Sequence, residues 1–494
     1  MLLHPRIQAI AVSICFFGTC CAKDDRPNIV FLLADDQCSY SMGCYGTPGA
    51  KTPNLDNLAR DGVIFDRHYD TTAICMASRV NIMTGLYEYR AGCNFDSGNL
   101  LREKWEASYP MLLRENGYST AFAGKFGFVV TDQPDEKGIL PEDDFDKWGG
   151  GPGQTSYDTA KNKSMAEYAK EYPHSTLSYG AFGRDFVKES AQGDKPFCLS
   201  ISFKAPHHPV QPDPKFDHVY QGAKFTKPAN YGREMGEHFS LQSRQGRQYD
   251  RFHSWNYSDQ YDKTMALYYQ QIYAIDVAVG MIRQALMDNG VSDNTVIIYT
   301  SDNGFLCGSH GYGSKVLPYE EASRVPLIIY DPRHSSSGKQ LRCDALTGNV
   351  DMGPTILSMA GVASPIETDG QDLSVLLDDP KAEVHSYLPL INVWGPKSVH
   401  SFAIVTNKAK FVYWPYAEGD FEATTEVYDM QNDALELHNL QGKSEYAELV
   451  EEAEATYKAA LKDWQDKAVA FHGYQRFGII FDPGQPWSSK KELY

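Results

Sequence analysis

The chain has 494 residues, enough for one large domain with a smaller one attached. It is 42% hydrophobic and 22% charged, the balance of a globular protein with a sizeable core. Its formal charge of −18 excludes a general nucleic-acid binder and requires that any anionic substrate be drawn by a local cluster of Arg, Lys and His.

The N-terminus has the pattern of an export signal: Arg6, an apolar run over residues 7–17, and small residues ending at Ala22 before Lys23, Asp24 and Asp25. The run is too short to span a bilayer, so residues 1–22 are expected to be a removed signal peptide. The mature protein is then periplasmic or extracellular. Cys20 and Cys21 raise a lipoprotein anchor, but Phe17-Gly18-Thr19 fits the usual small-residue signal poorly, which makes anchoring the lesser reading. No later stretch is long and apolar enough to cross a membrane, so no stable membrane insertion is expected. Seven cysteines follow the signal, and setting Cys75 apart leaves an even number, a hint of a special role for it in an exported protein.

The next element is Asn28-Ile-Val-Phe-Leu-Leu-Ala34, an unbroken apolar run that predicts a strand buried on both faces of a parallel sheet. It ends in Asp35 and Asp36. Further strands are expected over residues 198–203, 294–300 and 325–330, the third of these runs from the N-terminus closing on Ser301, Asp302, Asn303 and Gly304. Between them, residues 264–289 repeat apolar side chains at helical spacing. Strands alternating with helices predict an α/β fold with a mainly parallel central sheet. Residues 134–178 and 213–262 lack periodicity and are expected to be functional loops. Their Tyr and Trp residues could stack on sugar faces, although plain packing is the commoner use of loop aromatics. After about residue 380 the texture changes to short strands over 401–406, 410–414 and 426–430, then a charged helix over 445–470. The expected organisation is a catalytic domain over residues 23–385 and a C-terminal α+β subdomain over 386–494 with a short antiparallel sheet.

Ligands bind beyond the carboxyl ends of strands in open α/β sheets. Two strands here end in hard oxygen donors, Asp35-Asp36 and Asp302-Asn303, which would repel one another without a cation between them. All-oxygen ligation suits Ca²⁺ or Mg²⁺ better than zinc. Each pair taken alone reads better as a turn or a helix cap, and it is their shared position at strand ends that points to a metal. Cys75-Met76-Ala77-Ser78-Arg79 enters a helix that Gly85 closes, and a helix N-terminus favours an anion. Arg79 adds a planar donor fork.

Residues 75–85 resemble the signature of the type I sulfatase family: Cys or Ser, any residue, Pro or Ala, Ser, Arg, four residues, then Thr-Gly. The resemblance continues through Asp35-Asp36, Ser301 to Gly304, His310-Gly311, Lys315, Tyr319-Glu320-Glu321, Arg324-Val325-Pro326, Val350 to Thr355 and Tyr428-Asp429-Met430, with Glu436 and Asn439-Leu440 beyond. It implies the alkaline-phosphatase-like sandwich: a large mainly parallel sheet flanked by helices. It also implies that a separate formylglycine-generating enzyme oxidises Cys75 to formylglycine. Asp35, Asp36, Asp302 and Asn303 would then bind one Ca²⁺ together with an oxygen of modified Cys75. Arg79 would hold the formylglycine, Lys125 and Lys315 would grip the sulfate, His207 would protonate the leaving oxygen, and His310 would line the pocket. The aldehyde is implied to hydrate to a diol, one hydroxyl of which attacks sulfur while the other drives release of sulfate.

One position departs from the family. Where Gly-Lys-Trp-His is usual, this chain has Gly124-Lys125-Phe126-Gly127, so the histidine that assists the second half-reaction is missing. His68 or His310 is a candidate substitute. The leading expectation is a sulfuric ester hydrolase acting on a sulfated carbohydrate. The alternatives are a phosphodiesterase or phosphonate monoester hydrolase of the same superfamily, or a catalytically weak protein that binds sulfated glycans.

Overall fold

The computed structural model describes residues 25–494. The expected signal peptide lies outside them.

Among the described residues, fifteen strands form three sheets. In chain order they are β1 (Asn28–Ala34), β2 (Val63–Tyr69), β3 (Leu100–Leu101), β4 (Ser119–Lys125), β5 (Val130–Thr131), β6 (Lys147–Gly151), β7 (Phe197–Ser202), β8 (Thr295–Ser301), β9 (Arg324–Tyr330), β10 (Leu341–Cys343), β11 (Thr347–Gly348), β12 (Tyr387–Asn392), β13 (Ser401–Thr406), β14 (Ala409–Trp414) and β15 (Thr424–Asp429). The large sheet runs β10-β2-β9-β8-β1-β7-β4-β6, with β11 beside β2. β1 lies at its centre, paired in parallel with β7 and β8. β4 is parallel to β7 and to β6. β9 is the exception, antiparallel to both β8 and β2. Its Val325-to-Tyr330 run is as apolar as those of its parallel neighbours because it too is covered on both faces, so composition does not reveal its direction.

The alternation along β1 divides the core. Val30, Leu32 and Ala34 face a cluster that includes Tyr179, Phe182, Ile272, Ile275, Val279 and Ile282, carried by the helices Ser175–Ser190 and Tyr261–Asp288. Ile29, Phe31 and Leu33 face the opposite cluster, with Val80, Ile82, Leu112, Leu113, Met352 and Ile356. Those residues come from the helices Cys75–Thr84, Tyr109–Glu115 and Met352–Met359. A strand with no exposed face must be apolar at every position, which is why β1 reads as it does.

The second sheet is antiparallel, in the order β12-β13-β14-β15. Phe402, Ile404, Phe411 and Val427 pack on Tyr457, Leu461 and Trp464 of the helix Ala447–Lys467. Leu388, Leu390, Ala403, Val412 and Trp414 pack from the other face on Tyr69, Leu306, Tyr312 and Tyr319. The join also carries a buried ion cluster: Lys410 Nζ lies 2.8 Å from Glu320 Oε1 and 2.6 Å from Glu436 Oε1. The Glu320 N–H donates to Glu436 Oε2 at 2.9 Å. The Tyr319-Glu320-Glu321 motif therefore fastens the two sheets together. All seven described cysteines are free thiols. Among the described residues no helix is long and apolar enough to cross a membrane.

Candidate functional site

Parallel strand direction gathers the site. β1, β4, β7 and β8 all point the same way, so the residues that follow them emerge along one sheet edge. β1 delivers Asp35 and Asp36, β8 delivers Asp302 and Asn303, β4 ends on Lys125, and the turn after β7 carries Lys204 and His207. β2, antiparallel to β9 as β9 is to β8, shares that direction and leads through residues 70–74 into the helix Cys75–Thr84. Cross-strand bonds pin the ends: Asp302 N–H donates to Ala34 O and Asp35 N–H to Ala205 O. Asp36 adopts φ +70°, a left-handed turn that Asp tolerates better than most residues. Tyr268 O–H donates to the Asp36 carbonyl at 2.7 Å. Gly124 has no alternative at its place, because a Cβ there would sit 1.9 Å from the Ser202 carbonyl.

Three carboxylates and three strong cations interlock in this space. Arg79 Nε donates to Asp302 Oδ2 at 2.9 Å, and Arg79 Nη2 lies 2.8 Å from the same oxygen and 3.5 Å from Asp35 Oδ2. Arg79 Nη1 donates to the Lys125 carbonyl at 2.7 Å. Lys125 Nζ lies 2.5 Å from Asp35 Oδ2, and Lys315 Nζ donates to Asp36 Oδ1. His207 Nε2 is 3.8 Å from Asp36 Oδ2. Burial opposes the charge on Asp35, but Lys125, His207, Arg79 and Lys315 outweigh it and hold the carboxyl well below the ordinary range. Burial and then the charge of Asp35 push Asp302 up to about 6, against Arg79, Lys315 and Lys125. Burial likewise pushes His207 down to about 4. The ring is thus neutral in the free cleft, and an anion placed against it acts in the opposite sense.

The donor set fits a hard divalent cation. Asp35, Asp36, Asp302 and Asn303 are at most 2% exposed, and Asp35 Oδ1 and Asn303 Oδ1 are buried oxygens with no hydrogen-bond partner. Orphaned buried acceptors are costly, and oxygen-only donors select Ca²⁺ or Mg²⁺. Asp35, Asp36 and His207 also offer ligand atoms that lie within 4.8 Å of one another.

Cys75 opens its helix on the floor of a cleft of about 380 Å³, a size ordinary for small-molecule sites. Asp36, His207 and Lys315 line the same cleft. Of the residues singled out in the sequence, His310 is not brought there. It is fully buried in a left-handed turn at φ +53°, with Nδ1 3.1 Å from the Met235 carbonyl and Nε2 3.0 Å from Asn230 Nδ2. His68 is no closer to the role: it is buried, with Nδ1 3.0 Å from Thr347 Oγ1. Neither histidine lines the cleft that holds Cys75. Three kinds of residue escaped the sequence reading. Lys204 is 6% exposed, with Nζ donating to the Gln154 carbonyl at 2.9 Å, and Gln154 Nε2 approaches Cys75 Sγ at 3.8 Å. Arg247 and Arg251 stand in the cleft wall on a helix, Arg247–Ser254, inside a segment expected to be loop. The Arg247, Arg251, Trp255 spacing was the available signal, since residues four apart share a helix face.

A family model described as sulfatase matches residues 27–362, more than half of the chain and every residue of the carboxylate and lysine cluster. The chain belongs to the sulfatase family. A second model, the C-terminal part of N-sulphoglucosamine sulphohydrolase, matches residues 308–463. The sulfatase is 28% identical to an N-acetylglucosamine-6-O-sulfatase of Bacteroides thetaiotaomicron, over 91% of this chain and 90% of the relative. It is 26% identical to an arylsulfatase of Clostridium perfringens, over 86% and 92%. A solved structure described as bound to its substrate D-glucosamine-2-N,6-O-disulfate superposes with a TM-score of 0.72 and 25% identity, covering 89% of this chain and 98% of that one. A phosphonate monoester hydrolase of Agrobacterium radiobacter shares the fold at a TM-score of 0.72 and 21% identity, over 88% and 96%. The sulfatase is accordingly a hydrolase of sulfate esters.

Proposed function

We propose that this sulfatase releases inorganic sulfate from a sulfated carbohydrate, using Cys75 matured to formylglycine as the nucleophile beside one Ca²⁺. The observation that carries the reading is the meeting of Cys75, three buried carboxylates and the Arg79, Lys125 and Lys315 cations at one sheet edge. The carbohydrate is supported by the N-acetylglucosamine-6-O-sulfatase relative and by the glucosamine disulfate complex. Asp35, Asp36, Asp302 and Asn303 would hold the cation, which when bound supplies Lewis-acid stabilisation of charge on a sulfonyl oxygen.

The roles of the side chains follow from their partners. Arg79 spans Asp302 and Asp35, fixing both carboxylates while its helix presents residue 75 and its N-terminal N–H groups to an anion. Lys125 and Lys315 each rest on a carboxylate and so stand ready as fixed donors to sulfonyl oxygens. With three carboxylates balanced by three cations, a divalent ion exceeds the single charge of a sulfate ester, so the loaded site attracts its substrate. His207 Nε2 faces the cleft beside Asp36 and is assigned the proton that the leaving oxygen takes up. The N-terminal pattern supports export from the cytoplasm, and residues 23–385 are proposed as the catalytic unit. A maturation enzyme that makes formylglycine is its required partner.

The test is sulfate release from a panel of sulfated saccharides and 4-nitrophenyl sulfate, with the matching phosphate and phosphonate esters alongside. Cys75→Ala should abolish turnover while leaving thermal unfolding intact. Full activity in that variant, or preference for the phosphorus esters, would contradict the assignment.

A further inference from the structure

The cleft has a cationic wall that neither the cation donors nor the lysines account for. Arg247 and Arg251 lie one turn apart on the helix Arg247–Ser254, so both guanidinium groups leave the same face. Arg247 lies over the Trp394 ring at 4.3 Å, and Arg251 over the Trp255 ring at 4.1 Å. Arg251 Nη1 donates to Ser314 Oγ at 2.7 Å, which ties it to the chain beside Lys315. Among the described residues, neither arginine has a carboxylate within ion-pair distance. Asp96, the carboxylate acting on Arg247, has Oδ2 engaged by the Gly395 N–H at 3.0 Å. Asp36, the carboxylate acting on Arg251, already holds Lys315 and Asn303.

Two guanidinium groups side by side in a partly dry cleft repel each other, and burial followed by Arg247 pushes Arg251 down to about 10. The chain tolerates this despite carrying net negative charge overall, with carboxylates to spare for pairing. The aromatic seats fix where the charges point and leave N–H groups other than Arg251 Nη1 without a partner among the described residues, the arrangement that takes an anion with two or more acceptor oxygens.

We propose that Arg247 and Arg251 form a subsite for a second anionic group, a sulfate or a carboxylate, on the same saccharide that presents the scissile sulfate to Cys75. This rests on the reading of the Cys75 cleft as the sulfate-ester site. The preferred substrate is therefore a saccharide bearing at least two negative charges, and a singly sulfated neutral sugar engages only the Cys75 end.

The experiment compares matured, Ca²⁺-loaded wild type with Arg247→Ala, Arg251→Gln and Arg247→Lys on three saccharides. One carries a single sulfate, one carries a second sulfate on the same ring, and one carries a neighbouring uronate. Charge-assisted pairing to guanidinium predicts that wild type favours a dianionic substrate by about tenfold or more in kcat/KM, and that Arg247→Ala and Arg251→Gln erase this ratio mainly through KM. Arg247→Lys should keep part of it. Preference in the disulfated arm alone assigns the group as sulfate, and in the uronate arm alone as carboxylate. A wild-type ratio near one, or a ratio the variants leave unchanged, overturns the subsite. Failure of wild type to release sulfate from any ester, 4-nitrophenyl sulfate included, overturns the underlying reading instead. Equilibrium binding of the same saccharides then still tests the subsite, which fails if the arginine variants lose no affinity for the dianionic sugars.

Discussion

Gly127 takes φ +92° against Arg79, and a Cβ there would meet Arg79 Cδ at 2.5 Å. A side chain at this place, the histidine that the family resemblance implies included, would collide with the arginine that fixes Asp302 and Asp35. Gly127→Ala and Gly127→His should both lower activity and shift thermal unfolding downward, the strained backbone alone costing about 1–3 kcal/mol. Gain of turnover in Gly127→His would show that the position still awaits its histidine. His207 gives a sharper test. His207→Ala should cut turnover of alkyl sulfates by about 10²–10⁴-fold while sparing aryl sulfates whose leaving group needs little protonation. Equal losses on both classes would remove His207 as the acid. At this scale the sequence was most readable where neighbours in the chain are neighbours in the site. Asp35-Asp36, Asp302-Asn303 and residues 75–79 qualify, since a strand end or a helix start fixes where each points. His310 misled because a left-handed turn aims it at Asn230 and Met235, and no spacing in the sequence reveals that turn.

Elements legible from apolar periodicity were the wholly buried ones. β1, β7 and β8 stand where unbroken apolar runs predict them, and the helix Tyr261–Asp288 begins three residues before its expected start. β2, with Asp66, Arg67 and His68 in its second half, and β4, with its Gly124-Lys125 ending, lack such runs and went unseen. The short helix Glu88–Ala91 holds a testable feature of its own. Glu88 is fully buried, accepts from Asn94 Nδ2 at 2.7 Å and Tyr474 O–H at 2.8 Å, and is pushed by burial up to about 7. From pH 4.5 to about 7 the folded chain keeps a proton here that the unfolded chain has released, so this group's contribution to stability falls as pH rises through that window. Glu88→Gln mimics the protonated form at every pH. Its stability relative to wild type should therefore improve between pH 5 and pH 8, by up to about 3 kcal/mol. A pH-independent difference in denaturant unfolding would mean that Glu88 is charged in the fold.

The whole molecule places its chemistry by strand direction: four parallel strands and β2 empty onto one edge, while Lys410, between Glu320 and Glu436, clamps the second sheet to the first. The arginine wall is only faintly legible because residues 213–262 show no long periodicity, and a helix of eight residues offers just the four-residue spacing of Arg247, Arg251 and Trp255 as its signal. Cation dependence belongs at this scale. Chelation should abolish sulfate release, and Ca²⁺ should restore it. The ion should also raise the unfolding temperature, since a ligand of the native state at 100 times its Kd stabilises by about 2.7 kcal/mol. Asp302→Ala should lose that thermal response. A chelated protein with full activity and unchanged unfolding would remove the cation from the account.

Residue 75 of the working enzyme is proposed to be an aldehyde or its hydrate, and turnover depends on it. The direct measurement is mass spectrometry of the residue 75 peptide from protein produced with and without a formylglycine-generating enzyme, paired with sulfate release by the same samples. Activity should rise in proportion to the fraction carrying the aldehyde or hydrate. Sulfate release by protein whose residue 75 is wholly unmodified cysteine would contradict it.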